Sequence, residues 1–354
     1  MNKPRFAETF SIDRKKISSN GSVFIVAEAG INHNGDMNLA FELIRKAAKA
    51  GADCIKFQTF STRHCESQYS LKPGYFKGRE GSPTKLEFSR NLEFDQTQFK
   101  DLKQYCDELG IIFLSMAADH PSLSLLVDIG CPAIKIGSSD TLNFPLFKEI
   151  GKTGLPVIYS TGISSVEDVQ YGAEYLSKSG VRQMALLQCT SQYPAPYEMM
   201  NLKVIGSYKR EFGVPVGLSD HSQGLHVSYA AVGMGAMIIE KHYTLSRHLP
   251  GVDHIASIEP QELEVFVRCI RDIEKAIGDG HKKLNDCERE HLKTMRKSLF
   301  SMEPIKKGAT IRKEMVAAKR PGNGILPTEI DAVIGRETIV DIPKDEFIQW
   351  NFLK

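Results

Sequence analysis

Two lysines stand inside otherwise apolar runs, Lys56 in IKFQ and Lys135 in IKIG. An ammonium group in such a setting is costly to bury unless it meets an anion. Two histidines, His221 in SDHS and His242 in EKH, close two further apolar runs. If those runs are neighbouring strands, ~5 Å apart, their imidazoles can share one divalent ion, with water in the remaining positions. Mn²⁺, Zn²⁺, Fe²⁺ and Co²⁺ all suit such a donor set. Beside the lysines lie the small donors of IGSSD (136–140, with Ser138) and STG (160–162, with Ser160). Hydroxyl and backbone N–H groups of this kind hold the oxygens of a phosphate or carboxylate. Either motif alone is common. Two of them with two lysines point to a phosphorylated, anionic substrate.

Carboxylates complete the set. Glu28 ends one apolar run and Asp253 lies in PGVDH. Facing one another across a mouth they would orient sugar hydroxyls or manage protons. Glu28 alone reads equally well as a salt-bridge partner of Lys56 or Lys135. Tyr193 in CTSQYP is either a phenol facing substrate or a packed loop residue, and His33 in INHNG either a ligand or a loop residue bonded to backbone. The chain has no P-loop, GxGxxG fingerprint or GxSxG elbow at a strand–helix junction, which argues against NTP, NAD and serine-hydrolase chemistry.

What positions these residues is a series of eight short β-rich runs, at 23–28, 54–59, 111–116, 133–138, 156–161, 184–189, 215–220 and 237–242. They are continuously apolar rather than alternating, as strands buried on both faces are. Amphipathic segments separate them; in 38–50, Leu39, Leu43 and Ala47 share one face before Gly51. Eight such units predict a (β/α)8 barrel rather than an open doubly wound sheet. The interval between 54 and 111 is too long for one unit, so 61–90 is expected to form a long loop over the mouth. Functional residues of such barrels sit where strands end. The strand ends here carry Glu28 and Asn32, Lys56 and Gln58, Ser115, Lys135 and Ser138, Ser160 and Thr161, Gln188 and Thr190, Asp220 and His221, and Glu240 and His242.

The 354 residues suit one large barrel, expected over 1–280, plus an appendage. A charged linker or exposed helix is expected over 281–298 and a small, mostly β domain over 299–354. Hydrophobic residues at 42% and charged residues at 25% exclude a disordered or fibrous chain. Lys plus Arg number 45 against 43 Asp plus Glu, a net charge of +2 that makes nucleic acid a poor partner. Seven scattered cysteines without a CxxC pair read as reduced thiols. Without an apolar leader core or a membrane-length apolar run, the expectation is a cytoplasmic protein with no membrane partner.

The motifs AEAGINHNG (27–35), IKFQT (55–59), AIKIGSSD (133–140), STG (160–162), LLQCTSQYP (186–194), GLSDHS (217–222), EKHYT (240–244), PGVDH (250–254) and KRPGNG (319–324) occur in this order. Together they resemble the sialic acid synthase family over almost the whole chain. The resemblance implies a (β/α)8 barrel followed by an antifreeze-like SAF domain, and a domain-swapped homodimer. It implies condensation of phosphoenolpyruvate with an open-chain N-acetylated hexosamine such as N-acetylmannosamine, giving N-acetylneuraminate or legionaminate and phosphate, with a divalent metal, commonly Mn²⁺. On that resemblance Lys56, Lys135, Ser138 and Ser160 hold phosphoenolpyruvate, and His221 and His242 hold the metal. Glu28 and Asp253 contact the acceptor with Gln58 and Tyr193 nearby, and Arg320 reaches the partner's barrel. Met116, Asp140 and Ser191 depart from the common pattern and bear on acceptor identity. The rival enzyme class is a Schiff-base aldolase, which needs one desolvated lysine and no metal. A non-enzymatic sugar-binding protein is the remaining alternative.

Overall fold

The computed structural model describes residues 6–76, 78 and 81–354. The chain divides into two compact units, one running to Gly278 and the other spanning Asp279–Lys354. In the first unit a short antiparallel hairpin, β1 (Phe10–Ile12) and β2 (Lys15–Ile17), precedes the barrel. The barrel strands are β3 (Phe24–Gly30), β4 (Cys54–Thr59), β5 (Ile112–Ala117), β6 (Ile134–Ile136), β7 (Val157–Ser160), β8 (Met184–Cys189), β9 (Val216–Asp220) and β10 (Ile238–His242). They pair in parallel in that order, and β10 closes the ring onto β3. Each expected apolar run is a strand, shifted by no more than a residue or two at its ends.

The strands are buried on both faces because helices cover the outside. Helix Met37–Lys49 starts on Asp36, whose carboxylate accepts from Asn38 N–H, and buries Ala40, Leu43, Ile44 and Ala47. Capping boxes start helices Gln96–Leu109 (Asp95 with Gln98) and Val166–Ser179 (Ser165 with Asp168). At the N-terminal end of the barrel the hairpin buries Phe10, Ile12 and Ile17 in the same core. Lys15 pairs there with Asp53 at 2.5 Å, and Asp53 also receives Arg271 at 2.6 Å and the Ile25 N–H at 2.9 Å. The hairpin has no eight-strand periodicity to announce it and was not among the expected elements.

The segment 61–90 is more structured than the long loop expected for it. It contains helices Thr62–Cys65 and Lys85–Arg90, and Phe76, Phe88, Leu92 and Val252 form a small separate core. Thr84 caps the second of these helices, a start signal that the Gly- and Lys-rich composition obscures.

In the second unit the charged stretch carries an exposed helix, Asp286–Met295, with an Asn285–Glu288 capping box and no buried residue. After it β11 (Ser298–Ser301) pairs antiparallel with β12 (Val316–Lys319). Leu299, Ile305, Ile311, Val333, Ile342 and Ile348 make a compact core among short bridges and single-turn helices. Among the described residues no helix is long and apolar enough to cross a membrane. All seven cysteines are free thiols.

Candidate active site

Period-two alternation decides which strand-end residues meet. On β4, Lys56 and Gln58 point into the barrel; on β9 and β10, Ser219 and Glu240 do so in register, followed by His221 and His242. Lys56 Nζ lies 2.7 Å from Glu28 Oε2 and 3.8 Å from Glu240 Oε2. Lys135 Nζ lies 3.6 Å from Glu240 Oε1 and donates to Ser160 Oγ at 2.7 Å. Glu240 therefore stands between the two lysines, with Ser219 Oγ donating to it at 2.9 Å. Gln58 Nε2 donates to Glu28 Oε1 at 3.2 Å. All of these side chains are buried except Gln58, which is half-buried.

The two lysines are driven apart electrostatically. Burial would lower Lys56, but Glu240 and Glu28 outweigh it and hold its ammonium above the usual range. Burial prevails at Lys135, which has one carboxylate close by, and lowers it. Glu240 is itself kept low, its burial outweighed by both lysines. Glu28 goes the other way: burial pushes its carboxyl up to about 7 against the pull of Lys56.

A hydroxyl corner lies beside Lys135. Gly162 N–H donates to Ser138 Oγ at 2.9 Å, and Ser138 lies 3.6 Å from Cys189 Sγ. A Cβ at position 162 would come within 2.2 Å of Ser191 Oγ and 2.8 Å of Ser138 Oγ, so only glycine lets the corner close. Cys189 in turn faces His221 Nδ1 at 3.8 Å. Burial would raise this thiol, but His221 brings it down to about 7, and Cys189 outweighs burial to hold His221 above its ordinary value.

The histidine pair adjoins this corner through Cys189. The rings of His221 and His242 are 5.2 Å apart, and Tyr193 stacks on His221 at 4.1 Å and meets His242 edge-on at 5.3 Å. His221 Nδ1 lies 2.7 Å from the Thr190 carbonyl, which can only accept, so in the neutral ring Nδ1 carries the proton and Nε2 the lone pair. His242 Nδ1 is buried without a hydrogen-bond partner, 3.8 Å from Asp253 Oδ2. Burial and the neighbouring cations hold His242 well below its ordinary pKa, and burial raises Asp253 to about 6. Two neutral-capable imidazole nitrogens, one of them orphaned, fit a cation bound by a histidine pair and completed by water or substrate. Among the described residues no cluster of three or more His, Cys, Asp or Glu side chains converges to hold an ion by protein ligands alone.

Several strand-end residues lie elsewhere. Ser115 bonds Thr59 Oγ1 at 2.7 Å, Thr161 donates to the Leu187 carbonyl, and Gln188 donates to that of Met200. Asn32 ties the Tyr243 carbonyl to Ser257, Thr190 donates to the Met199 carbonyl, and Asp220 faces the outer wall. His33 is a loop residue: Gly35 N–H donates to its Nδ1 at 3.1 Å and its ring stacks on Phe94 at 4.1 Å. Glu240, expected at a strand end but with no task assigned to it, stands between the two lysines, and Ser219 and Cys189 are the site residues that strand-end reading did not name. Met116 lies in register with Gln58 and Lys135, and Asp140 is buried with Asn143 donating to it. Arg320 belongs to the second unit, where its Nε donates to the Met295 carbonyl.

Fold and site define a (β/α)8 barrel whose mouth combines two buried lysines, with Glu240 between them, and a histidine pair. Residues 43–282 match the model of the NeuB family and residues 296–354 that of the SAF domain. The chain belongs to the NeuB family, the sialic acid synthase family that its motifs resemble. It is 40% identical to N,N'-diacetyllegionaminic acid synthase of Campylobacter jejuni, over 92% of this chain and 98% of that protein. It is 37% identical to the protein of the same name in Legionella pneumophila, over 96% and 97%. The crystal structure of N-acetylneuraminic acid (sialic acid) synthetase from Leptospira borgpetersenii superposes with a TM-score of 0.73 at 34% identity, covering 81% of this chain and 96% of that one.

Proposed function

We propose that the chain condenses phosphoenolpyruvate with an open-chain N-acetylated hexosamine and water, giving a nonulosonic acid and phosphate. The observation that carries this reading is Glu240 set between Lys56 and Lys135, with the Ser138–Ser160 corner beside Lys135. Two ammonium groups and directed hydroxyls in a buried mouth suit a small ligand bearing both carboxylate and phosphate.

In this reading Lys135, Ser138 and Ser160 hold the phosphate, and Lys56 the carboxylate. Glu28, Asp253, Gln58 and Tyr193 face the acceptor. Glu28, titrating near 7, is suited to hold or release a proton at neutral pH. A divalent cation such as Mn²⁺, held by His221 and His242, would supply Lewis acidity toward the acceptor aldehyde. C3 of phosphoenolpyruvate forms the new bond to the aldehyde carbon, and water adds at C2. The C2–O bond then breaks, the bridging oxygen leaving with phosphate as the ketone forms. Lys135, with Ser138 and Ser160, holds the departing phosphate without having to reorganise. The dimer remains part of the proposal, with the partner's Arg320 addressing the N-acetyl end of the acceptor.

The names of the two bacterial relatives support a diacetamido acceptor as the first to try, ahead of N-acetylmannosamine. The test is phosphate release from phosphoenolpyruvate with Mn²⁺ and a panel of 2-acetamido sugars, free and 6-phosphorylated. Release with one of them is the expected result. Release with none overturns the reading. Borohydride with pyruvate should leave the protein active, whereas a Schiff-base aldolase would be trapped.

A further inference from the structure

Behind His221 and His242, on the outer wall of the barrel, lies a second polar cluster that the proposed chemistry does not use. Strand alternation puts it there. Ser219 and His221 face inward, as do Glu240 and His242, so Asp220 and Lys241, paired in register, face outward beneath helix His226–Gly233. Asp220 is 0% exposed and Lys241 1%. Lys241 Nζ lies 3.0 Å from Asp220 Oδ2, which also accepts from Ser228 Oγ of that helix at 2.6 Å. Asp220 Oδ1 accepts from both N–H and Oγ of Ser222, at 2.8 and 2.6 Å. Lys241 Nζ donates to the Ser222 carbonyl at 2.6 Å.

Ser222 is thus held at both its N–H and its carbonyl. It directly follows His221, and the groups that hold it directly precede His221 and His242. The backbone on both sides of His221 is therefore tied to the residue before His242. We infer that Asp220 and Lys241, with Ser222 and Ser228, form a positioning cluster that sets the spacing and depth of the two imidazoles. The inference rests on the reading of His221 and His242 as cation ligands.

Stability alone is a weak reason for such a cluster. Desolvating two charges this deeply offsets most of their attraction, and an apolar pair often serves a protein wall as well or better. Two ligands carried on separate strands, by contrast, need their separation fixed by groups behind them. The cluster ties the backbone beside His221 to the residue before His242.

The experiment compares Mn²⁺ binding, by titration calorimetry, with melting of the metal-free protein. Asp220→Asn/Lys241→Met removes both charges while Asn keeps an acceptor for Ser222 N–H. It should melt near the wild type yet bind Mn²⁺ about 10–100-fold more weakly, the usual cost of losing an outer-shell partner. An unchanged Kd in the folded double variant overturns the inference and leaves the pair as a wall staple. If the double variant does not fold, Ser228→Ala, which leaves both charges in place, should still weaken binding, by less than about 10-fold, the lower end of an outer-shell loss, and no weakening there overturns the inference equally. A wild type that binds no Mn²⁺ also overturns it. That result is separable, because it would remove the cation reading of the histidines themselves.

Discussion

Lys56 Nζ lies 2.7 Å from Glu28 Oε2, and neither side chain is more than 3% exposed. The lysine is also within reach of Glu240, so two carboxylates compete for one ammonium before any ligand arrives. Lys56→Met leaves both carboxylates facing Lys135 alone, in a site that should now repel an anion. Turnover should fall by about 10²–10³, as on loss of a preorganised charge donor. Calorimetry should show weaker phosphoenolpyruvate binding in the same variant. Normal binding with lost turnover would move Lys56 from substrate holding to another task.

Bond cleavage can be read from an isotope. Phosphoenolpyruvate labelled with ¹⁸O at the bridging oxygen should deliver its label to phosphate. Label found in the sugar acid would mean P–O cleavage and would sink the route through water addition at C2.

His242 Nδ1 is a buried nitrogen with no partner, and a cation is what the proposal places there. His221→Ala and His242→Ala should each abolish Mn²⁺ binding and activity while the far-ultraviolet circular dichroism stays that of the wild type. EDTA should inactivate the wild type, and Mn²⁺ should restore it. Full turnover in metal-free buffer would remove the cation from the mechanism.

His33 bears on acid stability rather than catalysis. Burial pulls its pKa from 6.5 down to about 3. The unfolded chain therefore binds a proton below 6.5 that the folded protein refuses until near 3. Its contribution is intact above pH 6.5 and is lost as pH falls through that window, at a slope of about 1.4 kcal/mol per pH unit. Urea midpoints at pH 7, 5 and 4 should fall more steeply for the wild type than for His33→Gln. Parallel slopes would show that the buried ring is not the acid-sensitive element.

Arg320 carries the dimer proposal. Arg320→Ala should raise the acceptor KM while phosphoenolpyruvate affinity holds. Mixing it with an inactive Lys56→Ala chain should restore activity, because one mouth can then be assembled from two undamaged parts. Proven subunit exchange without rescue would confine Arg320 to its own chain.

The barrel was legible because strands buried on both faces are mostly apolar, with their few polar residues gathered toward the mouth. The apolar runs therefore mark the strands, and the polar interruptions mark where they end. Which of those end residues face inward was less legible. Ser115, Thr161 and Asp220 are as polar as Ser160 and Glu240, and only the register of each strand separates the groups. Glu240 was read at its strand end, and alternation back from His242 in IIEKH turns it inward. Cys189 was not: its part in the hydroxyl corner depends on how closely the chain approaches at Gly162, a distance no spacing encodes. The charged stretch at 278–298 left linker and exposed helix both open, because a helix that buries nothing lacks the apolar stripe by which helices are read; its capping box decides for the helix at 286–295.

The hairpin at Phe10–Ile17 plugs the barrel at the end away from the mouth, pinned there by Lys15 on Asp53 and by Arg14 on the Gly110 carbonyl. For anyone immobilising this protein, that geometry is useful. A tether joined ahead of this hairpin leaves from the floor of the barrel and presents the mouth of that unit outward, toward the flowing substrate. Trimming the same residues to shorten a fusion would instead strip Phe10, Ile12 and Ile17 from the floor and let water in from beneath.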